Sequence, residues 1–297
     1  MMSSQHTYIT NWLEDLDNQG KSQHTLSAYR RAMEHFIRWS ETAYGKPFDP
    51  GRVMARDVRD WKAYQQTVEK VAPATGNLRL AAVSRFFKWA IQKELSPSDP
   101  TSDVHALRLP PRQPKGLDRR EVRRLLRAAN HHPRDFAILE VLIGTGGRVG
   151  ELLGLFVGDV EIGERSGKLT VRQTKHGGYR EIPLTLDVRK ALSAYLETHP
   201  KADDPDAPLW IGQSGSLCHR SSVMRILNKY TLLAGLDRIN PHALRHTFAS
   251  RYLKANKGDL RGLARLLGHV SLNTVMIYTE PDMEDLAERM ERVEVGG

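Results

Sequence analysis

The feature that most constrains this chain is a basic break, punctuated by proline, about a third of the way along. Pro97 and Pro100 are followed by Leu109-Pro110-Pro111-Arg112-Gln113-Pro114-Lys115-Gly116. Each proline fixes φ and removes a backbone donor, so neither a helix nor a central strand runs through such a stretch. It reads as an extended linker. The 297 residues are therefore expected to form a domain over 1–108, a linker over 109–116 and a second domain over 117–297.

The two sides carry different patterns. On the first, Trp12, Leu13 and Leu16 share one helical face. A second helix follows Ser22, with Leu26, Tyr29, Met33, Phe36, Ile37 and Trp39 at helical spacing. A third runs from Ala55 to about Val68. Pro73-Ala74 opens a fourth that carries Leu78, Ala81, Ala82, Phe86, Phe87 and Trp89. Strand signals are absent, so the first domain is expected to be all helical. The second opens at Asp118, a helix cap whose partner in a capping box is Glu121. A helix from about Arg134 to Ile143 follows. Lys168 to Arg172 and Tyr179 to Leu184 flank Gly177-Gly178 and read as a β-hairpin, with Pro183 ending the pairing. Leu209 to Ile211 is a third candidate strand, and everything after about Ser221 reads as helix. The expected fold class is mainly α with a small antiparallel sheet, in two domains.

Charge narrows the partners. Lys and Arg number 44 against 35 Asp and Glu, a net of +9, which suits a polyanion and above all nucleic acid. Cys218 is the single cysteine, so no intramolecular disulfide and no Cys-rich zinc site can form, and a reducing, cytoplasmic setting fits. The first residues lack a signal-peptide core. The longest apolar candidate, Phe136 to Ile143, is broken by Glu140 and is far too short for a membrane span.

Three local patterns can carry chemistry. In Thr145-Gly146-Gly147-Arg148-Val149-Gly150-Glu151, a Gly-rich turn leads into a helix with Arg148 at its start. Backbone N–H groups and a guanidinium there suit an anion, and Glu151, one turn on, can brace the guanidinium. Alone, the pattern is also that of an ordinary interhelical turn with an ion pair. No Gly-Lys-Ser/Thr follows the glycines, which excludes a P-loop. In His242-Ala243-Leu244-Arg245-His246, residues three apart share a helix face, and a His beside an Arg suits a phosphodiester better than a metal. Leu266-Leu267-Gly268-His269 precedes Tyr278, whose hydroxyl becomes a nucleophile only where cations or hydrogen bonds favour its phenolate. Two arginines, two histidines and a tyrosine in one basic domain can cancel charge on non-bridging phosphate oxygens without a metal. Metal-dependent transfer would want an acidic cluster, and Asp203, Asp204 and Asp206 lie in a Pro-rich loop.

With these residues in place, the chain resembles the tyrosine recombinases, the phage integrases and Xer-type enzymes. Leu155 and Asp159-Val160 extend the first pattern as in the family's first box. His242 to Tyr278 resembles the second nearly throughout, with His-x-Leu-Arg-His-Thr-Phe-Ala, Leu-Leu-Gly-His and Ile-Tyr-Thr. The resemblance implies that Arg148 and Arg245 hold the scissile phosphate. His242 and His269 would bond it and assist proton transfer, and Tyr278 would attack to leave a 3′-phosphotyrosyl end and a free 5′-hydroxyl. Lys175 matches the hairpin general acid, with Lys168 as the fallback, and Glu151 supports. The resemblance further implies a C-shaped clamp on double-stranded DNA bearing a specific site, and a homotetramer acting on two sites through a Holliday junction. An accessory protein can take part; neither a metal nor a nucleotide cofactor is expected. Arg79, Arg85, Lys88 and Lys115 are candidate DNA contacts. Leu286, Met290 and Val293 form an apolar stripe that can dock on a neighbouring protomer or on the chain's own core.

The chain departs from the family pattern at Asn256-Lys257-Gly258-Asp259, which is about a residue long, at Glu280 where His is common, and at the small Gly147 and Gly154. These put the subfamily in question and leave the chemistry intact. No separate arm-binding domain is visible before the first helix, which favours the compact Xer-like or transposon-resolution type. A type IB topoisomerase shares the chemistry but would relax plasmids lacking any site. A non-catalytic regulator would have lost a catalytic residue type, whereas all six catalytic residues are present. A metal-dependent nuclease would be sensitive to EDTA.

Overall fold

A computed structural model describes residues 4–109, 116–172, 179–212, 215–216, 219–256, 258–268, 286 and 290–291. The chain divides into two compact units, Met1–Arg112 and Gln113–Gly297. Most of the expected linker lies outside the described residues.

The first unit holds four α-helices: α1 (Ser4–Asn18), α2 (Gln23–Tyr44), α3 (Ala55–Thr67) and α4 (Pro73–Gln92). Local chemistry sets their ends. The Ser22 side chain caps α2 by accepting from the Thr25 N–H at 3.2 Å. Gly45, at φ +62°, closes it in the left-handed conformation that glycine tolerates best. Pro73 starts α4, where a missing N–H costs nothing. Trp12, Phe36, Trp61, Phe86 and Phe87 are fully buried. Trp12 stacks on Tyr29 and meets Phe86 edge-on, and Phe36 meets Trp61 at 4.9 Å between ring centroids. Interlocking aromatics of this kind supply most of a small helical core.

On α4 the sequence reading chose partly the wrong face. Leu78 and Ala81 are exposed, and Leu80, Val83 and Ala90 join Phe86 and Phe87 inside. The cause is the run Leu80-Ala81-Ala82-Val83 after Leu78. Where apolar residues surround a helix, periodicity alone cannot orient it.

The second unit contains α5 (Arg119–Ala129), α6 (Pro133–Thr145), the short α7 (Val149–Leu153), β1 (Val160–Ile162), β2 (Gly167–Val171), β3 (Arg180–Pro183), α8 (Leu186–Leu196), β4 (Ile211–Gly212), β5 (Gly215–Ser216), α9 (Arg220–Leu233), α10 (Pro241–Ala255) and α11 (Leu260–Leu267). The capping box expected at Asp118 is present: its carboxylate accepts from the N–H groups of Arg120 and Glu121, and Glu121 accepts from the Asp118 N–H at 2.8 Å. Strands β1, β2 and β3 form an antiparallel sheet in that order, with Val171 opposite Arg180 and Lys168 opposite Pro183. Strand β1 is a residue triplet, Val-Glu-Ile, too short to signal itself. The candidate strand at Leu209 is corrected. The Leu209 N–H donates to the Leu155 carbonyl, and Ile211–Gly212 instead pairs with Gly215–Ser216 in a separate ribbon. The expected hairpin tip lies outside the described residues.

Helix α6 is the centre of this unit. Ala137, Ile138, Leu139, Val141, Leu142 and Ile143 are all buried, and the helix packs against α5, α8 and α10. Its end positions the site. Gly146 takes φ +61°, and a Cβ there would fall 2.5 Å from Phe248 Cδ1 and 2.8 Å from Leu267 Cδ2. Glycine is thus required both for the turn and for the close approach of α10 and α11. The next residues are Gly147 and Arg148.

Candidate active site

Arg148 is the N-cap of α7, and Glu151 ties it down twice. One carboxylate oxygen accepts from the Arg148 backbone N–H at 2.8 Å, the other from Nη1 at 2.9 Å. The Gly147 N–H is taken by Thr145 Oγ at 3.1 Å. This corrects one expectation: these turn amides are used internally, so anion binding falls to the half-exposed guanidinium. Trp210 Nε1 donates to the Leu152 carbonyl at 2.8 Å and fixes the other end of α7.

Arg245 lies on α10, buried to 4% exposure. Its Nη1 donates to the Gly146 carbonyl at 2.7 Å and its Nη2 to the Leu267 carbonyl at 2.9 Å. Because it bonds the carbonyl of the residue that caps α6 and that of the last residue of α11, this side chain joins the two sequence boxes. His242, three residues earlier, is exposed near the start of α10, which Asn240 caps by accepting from the Ala243 N–H at 3.0 Å. Partial burial first, then repulsion by Arg220, Arg245 and Arg148, holds the His242 imidazole below its usual pKa. Three guanidiniums therefore act on one histidine. At neutral pH this imidazole is largely uncharged, able to donate from one nitrogen and accept at the other.

The structure therefore brings together Arg148, Glu151, His242 and Arg245 from two distant stretches of chain. Lys175, His269, Tyr278 and Lys115 lie outside the described residues. The fallback lysine, Lys168, is committed elsewhere. It bridges Glu181 at 2.8 Å and Glu161 at 3.1 Å, and these bonds raise its pKa, a poor setting for a proton donor.

Two arginines escaped the sequence reading. Arg220, at the start of α9, acts on His242 electrostatically. Arg180, at the start of β3, is 9% exposed and grips Glu151 with both terminal nitrogens. The available signal was alternation: in Arg180-Glu181-Ile182-Pro183 the arginine shares the buried face with Ile182, and a buried arginine needs a partner.

In the first unit, Arg79 is also spent internally. Its Nη1 lies 3.0 Å from Glu69, 3.1 Å from Gln65 and 3.1 Å from His35, whose other nitrogen accepts from Trp61 Nε1. Arg85 and Lys88, one turn apart on α4, are exposed.

A two-unit chain of helices with a small sheet, and a second unit that brings arginines and a histidine together from two stretches of chain, fits a protein that acts on phosphate through side-chain charge. Residues 115–285 match the phage integrase family and residues 8–97 match the phage integrase N-terminal SAM-like domain. The chain belongs to the phage integrase family and is a site-specific tyrosine recombinase. It is 32% identical to tyrosine recombinase XerC of Neisseria gonorrhoeae over 94% of this chain and 92% of that one. The crystal structure of XerA recombinase is 27% identical, covers 99% of this chain and all of its own, and superposes with a TM-score of 0.56. A lambda integrase tetramer bound to a Holliday junction shares the fold at 21% identity and a TM-score of 0.73, covering 92% of this chain and 76% of that one.

Proposed function

We propose that this recombinase cuts and rejoins double-stranded DNA at a specific site through Tyr278, with Arg148 and Arg245 as the phosphate clamp. The observation that carries the assignment is the meeting of two distant segments: Arg245, on the same helix as His242, bonds the carbonyl of Gly146, two residues before Arg148. The tyrosine oxygen attacks phosphorus, the bond to the 5′-oxygen breaks, and a 3′-phosphotyrosyl link replaces the phosphodiester. Lys175 delivers the proton to the leaving 5′-oxygen. His242, held neutral by its surroundings, receives the tyrosine proton or bonds a non-bridging oxygen, and His269 shares that duty. Two arginine forks spread the charge that builds on phosphorus. One phosphodiester is exchanged for another, so the bond energy is conserved and the 5′-hydroxyl of a partner duplex can reverse the step. That reversal is strand exchange through a Holliday junction. Four copies on two sites suit it, and the lambda integrase assembly supplies the fold-level precedent. The tail carrying Leu286 and Met290, 39% and 68% exposed, is a candidate for the contact between copies. Among the described residues no helix is long and apolar enough to cross a membrane, and work on DNA in the cytoplasm fits the proposal.

The test is a suicide duplex nicked beside the scissile phosphate, built from DNA flanking the gene and incubated in EDTA. Wild-type protein is expected to give a covalent protein–DNA band on a denaturing gel. Relaxation of plasmids that lack the site would instead favour a topoisomerase, and specific binding without a band would favour a regulator.

The first unit is assigned as the core-binding domain, gripping phosphate mainly through exposed cations. Arg85→Ala and Lys88→Ala should each reduce the slope of log affinity against log salt by about one, whereas Arg79→Ala should leave it nearly unchanged. A salt titration by fluorescence anisotropy decides. Unaltered slopes for both exposed residues would remove α4 from the DNA contact.

A further inference from the structure

Arg180 stands where three segments meet. Its Nη2 and Nη1 donate to the two Glu151 oxygens at 2.8 and 3.1 Å, and its Nε donates to the Leu266 carbonyl at 3.0 Å. Glu151 in turn holds Arg148. Leu266 lies in the last turn of α11, whose Gly268 presses on the same guanidinium: a Cβ there would fall 2.7 Å from Nη1 and 2.9 Å from Cζ. Along the chain, Gly268 precedes His269, and Arg180 follows Lys175 by five residues. The other root of that hairpin is anchored alike, by Arg172 on the buried Asp159.

We infer that Arg180 is a positioning residue of the cleavage reaction, locking the Arg148–Glu151 pair and the end of α11 to the root of the hairpin that carries Lys175. The inference rests on the reaction proposed above. The two segments bound by this one guanidinium, and the strand that carries it, each lead to a different group of that reaction. The side chain is rigid, planar and bidentate, so it fixes orientation as well as distance, which a lysine at the same place cannot do. Positioning groups of this kind act strongly because a displacement of about 1 Å can cost about 100-fold in rate.

A readout beyond folding exists in Glu151. Burial alone would raise its carboxyl, but the hydrogen bonds and charges of Arg180 and Arg148 outweigh burial and hold it below the usual carboxylate range. Arg148 on α7 and Arg180 on β3 are the charged groups facing it among the described residues. Removing Arg180 leaves a buried carboxyl with one cation, so its pKa rises. The carboxylate that braces Arg148 then survives only above that raised pKa and is lost as pH falls.

The experiment is single-turnover cleavage of the suicide duplex at saturating protein, run from about pH 5.5 to about pH 8.5. Arg180→Met should bind DNA within about threefold of wild type yet cleave about 100-fold more slowly, with the deficit widening towards low pH. Arg180→Lys should restore the wild-type pH dependence and only part of the rate. Glu151→Gln should lose a similar factor, and combining it with Arg180→Met should add little. Cleavage by Arg180→Met within about threefold of wild type, on a parallel pH profile, would overturn the role. If Arg180→Met melts below the assay temperature, Arg180→Lys and Glu151→Gln decide: losses that multiply in the double variant overturn the role, and losses that do not multiply support it. A wild-type protein that forms no adduct would instead overturn the proposed reaction itself.

Discussion

Tyr278→Phe is expected to abolish the covalent protein–DNA band while leaving site-specific binding within about twofold, because it removes a single oxygen, the one proposed to attack phosphorus. The expected loss is at least about 10⁴-fold, since removing a nucleophile leaves positioning and charge stabilisation with nothing to attack phosphorus. The size of the effect comes from the surroundings. An ordinary phenol is protonated at neutral pH, and in the reaction proposed above it is made reactive by the positive charge that also depresses His242. That charge is carried by Arg148, Arg245 and Arg220, none of which the substitution touches. Binding and cleavage should therefore separate cleanly. The assay is the nicked duplex in EDTA, resolved on a denaturing gel, beside a gel shift under the same salt. An adduct of equal yield from Tyr278→Phe would sink the nucleophile assignment and send the search to another hydroxyl. Loss of both adduct and binding would mean that the tyrosine has a structural task as well.

Much of this was legible before any coordinates, and the reasons differ from place to place. The capping box at Asp118 and Glu121 was readable because both partners lie within one turn. So were the four helices of the first unit, where Ser22, Pro73 and Gly45 mark ends by local chemistry. The pairing of β2 with β3 followed from two strand-like runs flanking Gly177-Gly178. What escaped was set by distant neighbours. Nothing local says that Leu78 is exposed and Leu80 buried, because the choice belongs to whatever packs on α4. Nothing local says that Arg79 serves Glu69 while Arg85 does not, since that depends on the segment following α3. Strand β1 exists because β2 lies beside it. In the site, motif spacing singled out Arg148, Glu151, His242 and Arg245, which the fold brings together. Arg180 was invisible for the opposite reason: its partners are Glu151, before it in the chain, and Leu266, far beyond it. A sequence shows the groups that meet a substrate more readily than the groups that hold those groups still.

Arg245→Lys should separate the helix-joining task that this side chain performs from the phosphate-holding task proposed for it. The guanidinium joins the carbonyls of Gly146 and Leu267 with two nitrogens, and those carbonyls terminate α6 and α11. A lysine ammonium is a point charge on a flexible stem and cannot span both in the same plane, so at least one buried acceptor loses a charged donor. That should cost about 2 kcal/mol, a fall of roughly 5 °C in Tm for a chain of this size. The catalytic loss should be far larger. The same fork is assigned to the non-bridging oxygens, where charge grows in the transition state and a preorganised donor is worth most. Cleavage at saturating DNA should fall about 10³-fold, while affinity, which rests on many phosphate contacts, falls only a few-fold. Thermal melts and single-turnover cleavage on one preparation measure both quantities. A lowered Tm with near-normal cleavage would make Arg245 a strut between α6 and α11 and leave Arg148 as the phosphate clamp. Cleavage lost with Tm unchanged would mean that lysine satisfies both carbonyls, so that the fork matters to the phosphate alone. The sharing of one guanidinium between a helix junction and a substrate predicts that both quantities fall. It also gives a physical reason for the arrangement: a cation whose place is fixed by the ends of two helices does not need to reorganise when the phosphate arrives.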